Sequence, residues 1–148
     1  RAGLEGLGSL PGFELLGHSS CYLTAPVGRT DQPAFANAVA HGMYGGTPLD
    51  LLAGLLSVEA SQGRQRLERW GPRTLDLDLL LFGQQVLDLP RLKVPHPQMH
   101  RRAFVLVPLM ELAPRLVLPV WRKTAGQLLE ELAPEELASQ TVEKIAWA

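Results

Sequence analysis

Between Leu75 and Leu79 the chain alternates leucine with aspartate, and that alternation limits the folds open to it. Successive side chains of an extended chain point to opposite faces. Leu75, Leu77 and Leu79 therefore share one face. Asp76 and Asp78 share the other, with their Cα atoms about 7 Å apart. Ionised carboxylates are costly to bury without partners. A strand over 75–82 must then bury one face only. Strands buried on both faces read instead as continuous apolar runs, which this chain lacks.

The remaining elements fit the same architecture. Leu4, Leu7 and Leu10 suit the end of an amphipathic helix that Gly8, Pro11 and Gly12 stop. Strands are expected over 13–23 and 35–44, separated by a long loop over 24–33. Thr47 is a good N-cap, Pro48 suits the first helical position, and Asp50 favours the helix N-terminus. Leu51, Leu52, Leu55 and Leu56 keep helical spacing, and Gly63 is expected to break that helix. A turn over 83–85 leads to a short strand at Val86-Leu87, and 90–97 reads as a loop. A helix over 98–112 must bend or end at Pro108. Residues 116–118 suit a short strand. Thr124 and Gln127 form a capping box for a helix through Glu131, Pro134 starts another turn, and 141–147 closes the chain as a strand. Trp121 and Trp147 read as packing residues. Hairpin-like spacings imply antiparallel pairing. The expected class is α+β: a two-layer sandwich of one mostly antiparallel sheet with helices packed on it.

With 148 residues and 46% hydrophobic residues, the chain fits one domain spanning 1–148. A net charge of −1 supplies no global field towards nucleic acid or membrane. The one cysteine, Cys21, cannot form an internal disulfide, which suits a reducing, cytoplasmic setting. No run of about 18 apolar residues spans a bilayer, and the first residues lack a signal-peptide core. A monomer is expected, with no nucleic-acid or membrane partner.

Chemistry concentrates in Arg69–Asp78, RWGPRTLDLD. Magnesium takes a few carboxylates together with water and substrate phosphates. Arg64, Arg66, Arg69 and Arg73 offer planar forks suited to phosphate oxygens. Carboxylates beside guanidiniums are what a metal–triphosphate complex requires. The alternative is a polar sheet face with Arg–Asp ion pairs, and spacing alone does not separate the two. Trp70 beside the Gly71-Pro72 corner is a candidate stacking wall for a flat ring. Arg102 and Phe104 could offer a charge and a ring, although each alone is more often a surface or core residue. Asn37, inside an apolar strand, needs hydrogen-bond partners that a heterocycle or the backbone could supply. The absence of GxxxxGK[ST] and GxGxxG motifs excludes a P-loop and argues against a dinucleotide site. Without CxxC or HExxH, a structural zinc site is not expected.

The segment RWGPRTLDLDLLLFG, Arg69–Gly83, closely resembles the signature of hydroxymethyl-dihydropterin pyrophosphokinases. Ser19–Asn37 (SSCYLTAPVGRTDQPAFAN) and Val94–Pro114 (VPHPQMHRRAFVLVPLMELAP) resemble that family's pterin-contacting and C-terminal substrate segments, in the same order. The resemblance is weakest after Val120. It implies a ferredoxin-like α+β fold and transfer of pyrophosphate from ATP to the hydroxymethyl group of a reduced pterin, releasing AMP, with two magnesium ions. It implies that Asp76 and Asp78 bind the metal, and that Arg64 and Arg73 are mobile-loop arginines engaging the phosphates. Glu59, Arg66, Arg69, Arg73, Arg91 and His96 would line the ATP side. Thr24, Val27, Phe35, Asn37, Trp70, Arg102 and Phe104 would line the pterin side, with Asn37 on the ring edge and Phe35 and Phe104 on its faces. The loops over 25–33 and 63–72 would close over ATP. The family opens with a strand and a Gly-Ser-Asn turn, whereas Arg1 corresponds to a position inside the following helix. Two rival readings are a non-catalytic nucleotide- or RNA-binding α+β module and an inactive fragment of the enzyme.

Overall fold

A computed structural model describes residues 2–26, 35–70, 75–138 and 140–146, without the side chains of 2, 25, 26, 35 and 62–70. It is an α+β sandwich in which, among the described residues, every strand pair is antiparallel. Helix α1 (Ala2–Gly8) precedes β1 (Phe13–His18) and β2 (Cys21–Pro26). Then come β3 (Phe35–Asn37), β4 (Ala40–Tyr44) and the long helix α2 (Pro48–Trp70). A short hairpin, β5 (Leu87–Asp88) and β6 (Lys93–Val94), leads through a 3₁₀ turn (Met99–Arg101) into α3 (Ala103–Leu112). Helices α4 (Ala125–Glu130) and α5 (Pro134–Ala138) precede the last strand, β7 (Gln140–Ile145). Among the described residues, no helix is long and apolar enough to cross a membrane.

The strands expected over 13–23 and 35–44 are each two strands, broken at the same level. Ser19 is buried; its N–H donates to the Val39 carbonyl at 2.7 Å, and its hydroxyl accepts from the Val39 N–H at 3.0 Å. These bonds replace a regular ladder, and the chain changes sheets there. β1 pairs with β4, while β2 lies between β3 and β7. The described ladders thus form three small sheets rather than one. The hairpin strand lies one residue later than expected and pairs forward with Lys93–Val94, inside the stretch read as a loop. The strand expected at 116–118 reduces to one bridge between Leu118 and Lys123.

The starts of α2 and α4 follow the capping rules. Thr47 Oγ1 accepts from the Asp50 N–H at 3.1 Å, and Asp50 Oδ2 accepts from the Thr47 N–H at 3.2 Å. Thr124 and Gln127 make the same reciprocal pair at α4. One expected break fails, and one helix does not end at its proline. Helix α2 continues through Gly63 to Trp70. A glycine costs only about 1 kcal/mol against alanine, and the Gln, Arg, Leu and Glu around it are good helix formers. Helix α3 continues through Pro108, which is fully buried. The break falls instead at Arg102, whose backbone is extended.

Two apolar cores hold these elements. Leu7, Leu51 and Leu55 form one, packed by Phe13, Tyr44, Leu77, Leu79 and Phe82. Met99, Leu106, Leu109, Leu118 and Leu128 form the other, with Leu80, Leu81, Phe104 and Trp121 against it. Trp121 also stacks on His100, with ring centroids 4.9 Å apart. The 75–82 segment runs between the two cores. Its first four residues alternate half-buried leucine with exposed aspartate, as the pattern required.

A polar latch ties the end of α3 to β2. The Glu111 carboxylate accepts from the Tyr22 hydroxyl at 2.6 Å, the Ser20 hydroxyl at 2.7 Å and the Ser20 N–H at 3.0 Å. These bonds, the Tyr22 one foremost, lower the Glu111 pKa from 4.5 to about 2. Burial first, then the carboxylate, raises the Tyr22 phenol from 10.0 to about 12. The Glu111 contribution to stability is complete above pH 4.5 and is lost as pH falls towards 2. The Tyr22 contribution holds below pH 10 and is lost as pH rises towards 12. Glu111→Gln should cost about 1 kcal/mol at neutral pH, discounted for exposure, and should flatten the acid limb of Tm against pH. An unchanged acid limb in that variant would assign the acid sensitivity elsewhere.

Candidate functional site

The Asp76–Asp78 segment is held by two contacts from distant elements. Glu59, near the middle of α2, accepts the Leu77 N–H on its carboxylate. That N–H lies between the two aspartates, so the contact fixes the peptide that carries them. Three residues on, the Leu80 carbonyl accepts the His96 N–H at 2.8 Å. Among the described residues the 75–82 segment has no ladder, and these bonds stand in its place.

The β5–β6 hairpin supplies the opposite wall. Leu89 and Leu92 exchange backbone hydrogen bonds at 2.9 and 3.2 Å, which closes a turn with Pro90 and Arg91 at its tip. Between tip and segment lies a cleft of about 450 Å³, lined among others by Glu59, Asp78, Arg91, Lys93 and His96. Leu52, Leu56, Leu77 and Leu79 give it an apolar floor. Four of the residues singled out in the sequence, Glu59, Asp78, Arg91 and His96, therefore line one cleft although they span 38 positions from 59 to 96, counting both ends. Lys93 joins them; its Nζ also pairs with Asp88, and no sequence signal pointed to it.

His96 connects this cleft to a second group. Its Nδ1 accepts from the Gln98 N–H at 3.1 Å, which requires that nitrogen to be unprotonated. Burial lowers its pKa, the Arg102 charge lowers it further, and Asp78 opposes both. His96 thus lies within electrostatic reach of Asp78 and of Arg102. The Arg102 guanidinium sits 5.6 Å from the centre of the Phe104 ring, a cation–π pair at the start of α3. On β2 and β3, Asn37 Nδ2 donates to Thr24 Oγ1 at 2.8 Å, which joins two further candidates.

Val27 and Arg73 are outside the described residues. Phe35 belongs to β3 by its backbone, and Arg64, Arg66, Arg69 and Trp70 belong to α2, but their side chains are outside the described set. The loop expected from residue 63 is helical as far as Trp70, because α2 does not stop at Gly63. Trp147 is also outside the described residues.

The carboxylate pair passes a donor test for magnesium. Asp76 and Asp78 are both exposed, two residues apart on an extended segment, beside a cleft with cationic groups on its far wall. Magnesium is commonly held by one or two carboxylates, its remaining positions filled by water and substrate phosphate. Among the described residues no group of three or more His, Cys, Asp or Glu gathers for an all-protein metal cage. The arrangement suits a metal that arrives with its phosphates.

Comparison with known proteins shows the family. The family profile of 7,8-dihydro-6-hydroxymethylpterin-pyrophosphokinase matches residues 1–114. The 2-amino-4-hydroxy-6-hydroxymethyldihydropteridine pyrophosphokinase of Pseudomonas aeruginosa is 56% identical over 119 residues, 80% of this chain and 74% of the relative. The protein of the same name from Haemophilus influenzae is 48% identical over 135 residues, 91% of this chain and 81% of the relative. A folate synthesis bifunctional protein, mitochondrial, from Arabidopsis thaliana is 44% identical over 95 residues, 64% of this chain but 17% of that longer protein.

Proposed function

The chain belongs to the 7,8-dihydro-6-hydroxymethylpterin-pyrophosphokinase family, and from that premise we infer that it transfers pyrophosphate from ATP to the hydroxymethyl group of 6-hydroxymethyl-7,8-dihydropterin in folate synthesis. The hydroxymethyl oxygen bonds to the β-phosphorus, the bond between that phosphorus and the α-phosphate oxygen breaks, and AMP leaves. The hydroxyl proton is lost to solvent. The observation that carries this reading is the cleft in which Asp78, Glu59, Arg91 and His96 meet beside the Arg102–Phe104 pair.

In this reading Asp76 and Asp78 hold two magnesium ions, which when bound neutralise phosphate charge and align the reacting groups. Arg91 binds ATP phosphate from the hairpin tip, and neutral His96 offers its second ring nitrogen to the nucleotide. Arg64, Arg66, Arg69 and Arg73 complete the phosphate clamp. Thr24 and Asn37 read the heterocycle's edge, Phe35 and Phe104 stack on its faces, and Arg102, Trp70 and Val27 close the pocket. Glu59 holds the Leu77 peptide and lines the ATP side of the cleft. The whole chain serves as one domain and as a monomer; β7 pairing with β2 along six residues ties the end of the chain to its beginning. A cytoplasmic setting, where Cys21 stays a buried thiol, fits this role.

An assay for AMP with ATP, magnesium and the hydroxymethyl-dihydropterin tests the activity directly. AMP formation that depends on both pterin and magnesium is the expected result. No pterin-dependent AMP from folded protein would reject the reading. Within the cleft, Arg91→Ala should raise KM for ATP about tenfold, the loss of one charge-assisted phosphate contact, and leave KM for pterin nearly unchanged. A KM for ATP equal to that of the parent would remove Arg91 from the phosphate site.

A further inference from the structure

Gln140 opens β7, beyond residues 1–114 that match the family profile. Its side-chain amide engages the backbone on both sides of Arg102. Oε1 accepts from the Ala103 N–H at 2.7 Å, and Nε2 donates to the Arg101 carbonyl at 3.1 Å. Nε2 also donates to the Glu136 carbonyl at 3.2 Å, which anchors the amide to α5. The Ala103 N–H is the first of α3, one of the donors a helix leaves unmatched. Arg102, the N-cap residue, makes no side-chain cap bond. Gln140 supplies that cap from 37 residues away.

The consequence falls on Arg102 itself. Both peptides flanking it are held, so its backbone stays extended at φ −110° and ψ 105°. That conformation places the guanidinium over the Phe104 ring. In the β2–β7 ladder Gln140 stands opposite Pro26, the residue before Val27. One residue therefore ties together the start of α3, through its side chain, and the strand end that leads into the heterocycle side, through its place in the ladder.

We propose that Gln140 is a positioning residue for the heterocycle side of the site, holding Arg102 and Phe104 in place through the peptides on either side of Arg102. The proposal rests on the pterin pyrophosphokinase reading above. The role calls for an amide, since one group must both accept from Ala103 and donate to two carbonyls. Methionine keeps the length and makes none of these bonds. Glutamate keeps the acceptor and repels the two carbonyl oxygens.

The test compares the parent chain with Gln140→Met and Gln140→Glu. The readouts are KM for each substrate, Kd for pterin by fluorescence titration, and Tm. Both variants should raise KM and Kd for pterin about tenfold, with KM for ATP within about twofold of the parent. A folded variant with parental pterin affinity overturns the proposal, as does an equal rise in both KM values. Loss of folding in both variants makes the contact a stability element and overturns it too. A parent that neither binds pterin nor forms AMP fails the pyrophosphokinase reading itself, and the proposal falls with it.

Discussion

Asp78→Ala should lower AMP formation by on the order of 10³-fold or more, the rate equivalent of several kcal/mol of lost metal-mediated charge stabilisation. Asp78 is exposed and lines the cleft, so its loss removes no core contact. The neighbouring Leu77 and Leu79 keep the segment packed against the α1–α2 core. Tm should therefore change little. The decisive pair of measurements is turnover against magnesium concentration and a thermal melt. A collapse of turnover that excess magnesium does not restore, with an unchanged melt, is expected. Parental AMP formation by the variant would refute the assignment of this carboxylate to the metal.

The second large effect is structural. Gly42→Ala should destabilise the fold by about 3 kcal/mol, lowering Tm by about 10 °C for a chain of this size. Gly42 lies on β4 opposite Leu15 of β1. A Cβ built there would stand 2.2 Å from the Glu14 carbonyl oxygen and 2.6 Å from the Phe13 ring. Backbone cannot swing aside as a side-chain tip can, so the strands must separate. Gly45 is the control, because a Cβ there meets nothing within 4 Å. Gly45→Ala should stay within about 0.5 kcal/mol of the parent. Equal denaturation midpoints for the two variants would remove the close strand approach as the cause.

Much of the candidate site was legible because it lies in short segments with strong local patterns. The Leu–Asp alternation sorted the carboxylates from the core, and the described segment keeps that sorting without a ladder of its own. Asn37 was flagged as an amide in need of a partner, and Thr24 supplies one. Other features carried no such signal. Lys93 sat in a stretch read as a loop, and only the closed turn of the hairpin brings it to the cleft wall. Ser19 looked like one more strand residue, yet its hydroxyl and backbone both serve Val39 and split two strands at once. Gly63 does not break α2 and Pro108 does not end α3; each costs a local increment that a long run of helix formers or a buried face outweighs.

Taken alone, the amino-acid order determined which face of the 75–82 segment is acidic, where Thr47 and Thr124 start helices, and that the strands pair antiparallel. These depend on geometry between residues a few positions apart, which every extended or helical chain shares. Only the tertiary structure decided that Glu59 grips the Leu77 peptide, that His96 and Asp78 line one cleft, and that Gln140 caps α3. The Glu59–Leu77, Asp78–His96 and Gln140–Ala103 pairs join residues 18, 18 and 37 positions apart. Their existence depends on how the two cores pack, which no local pattern encodes.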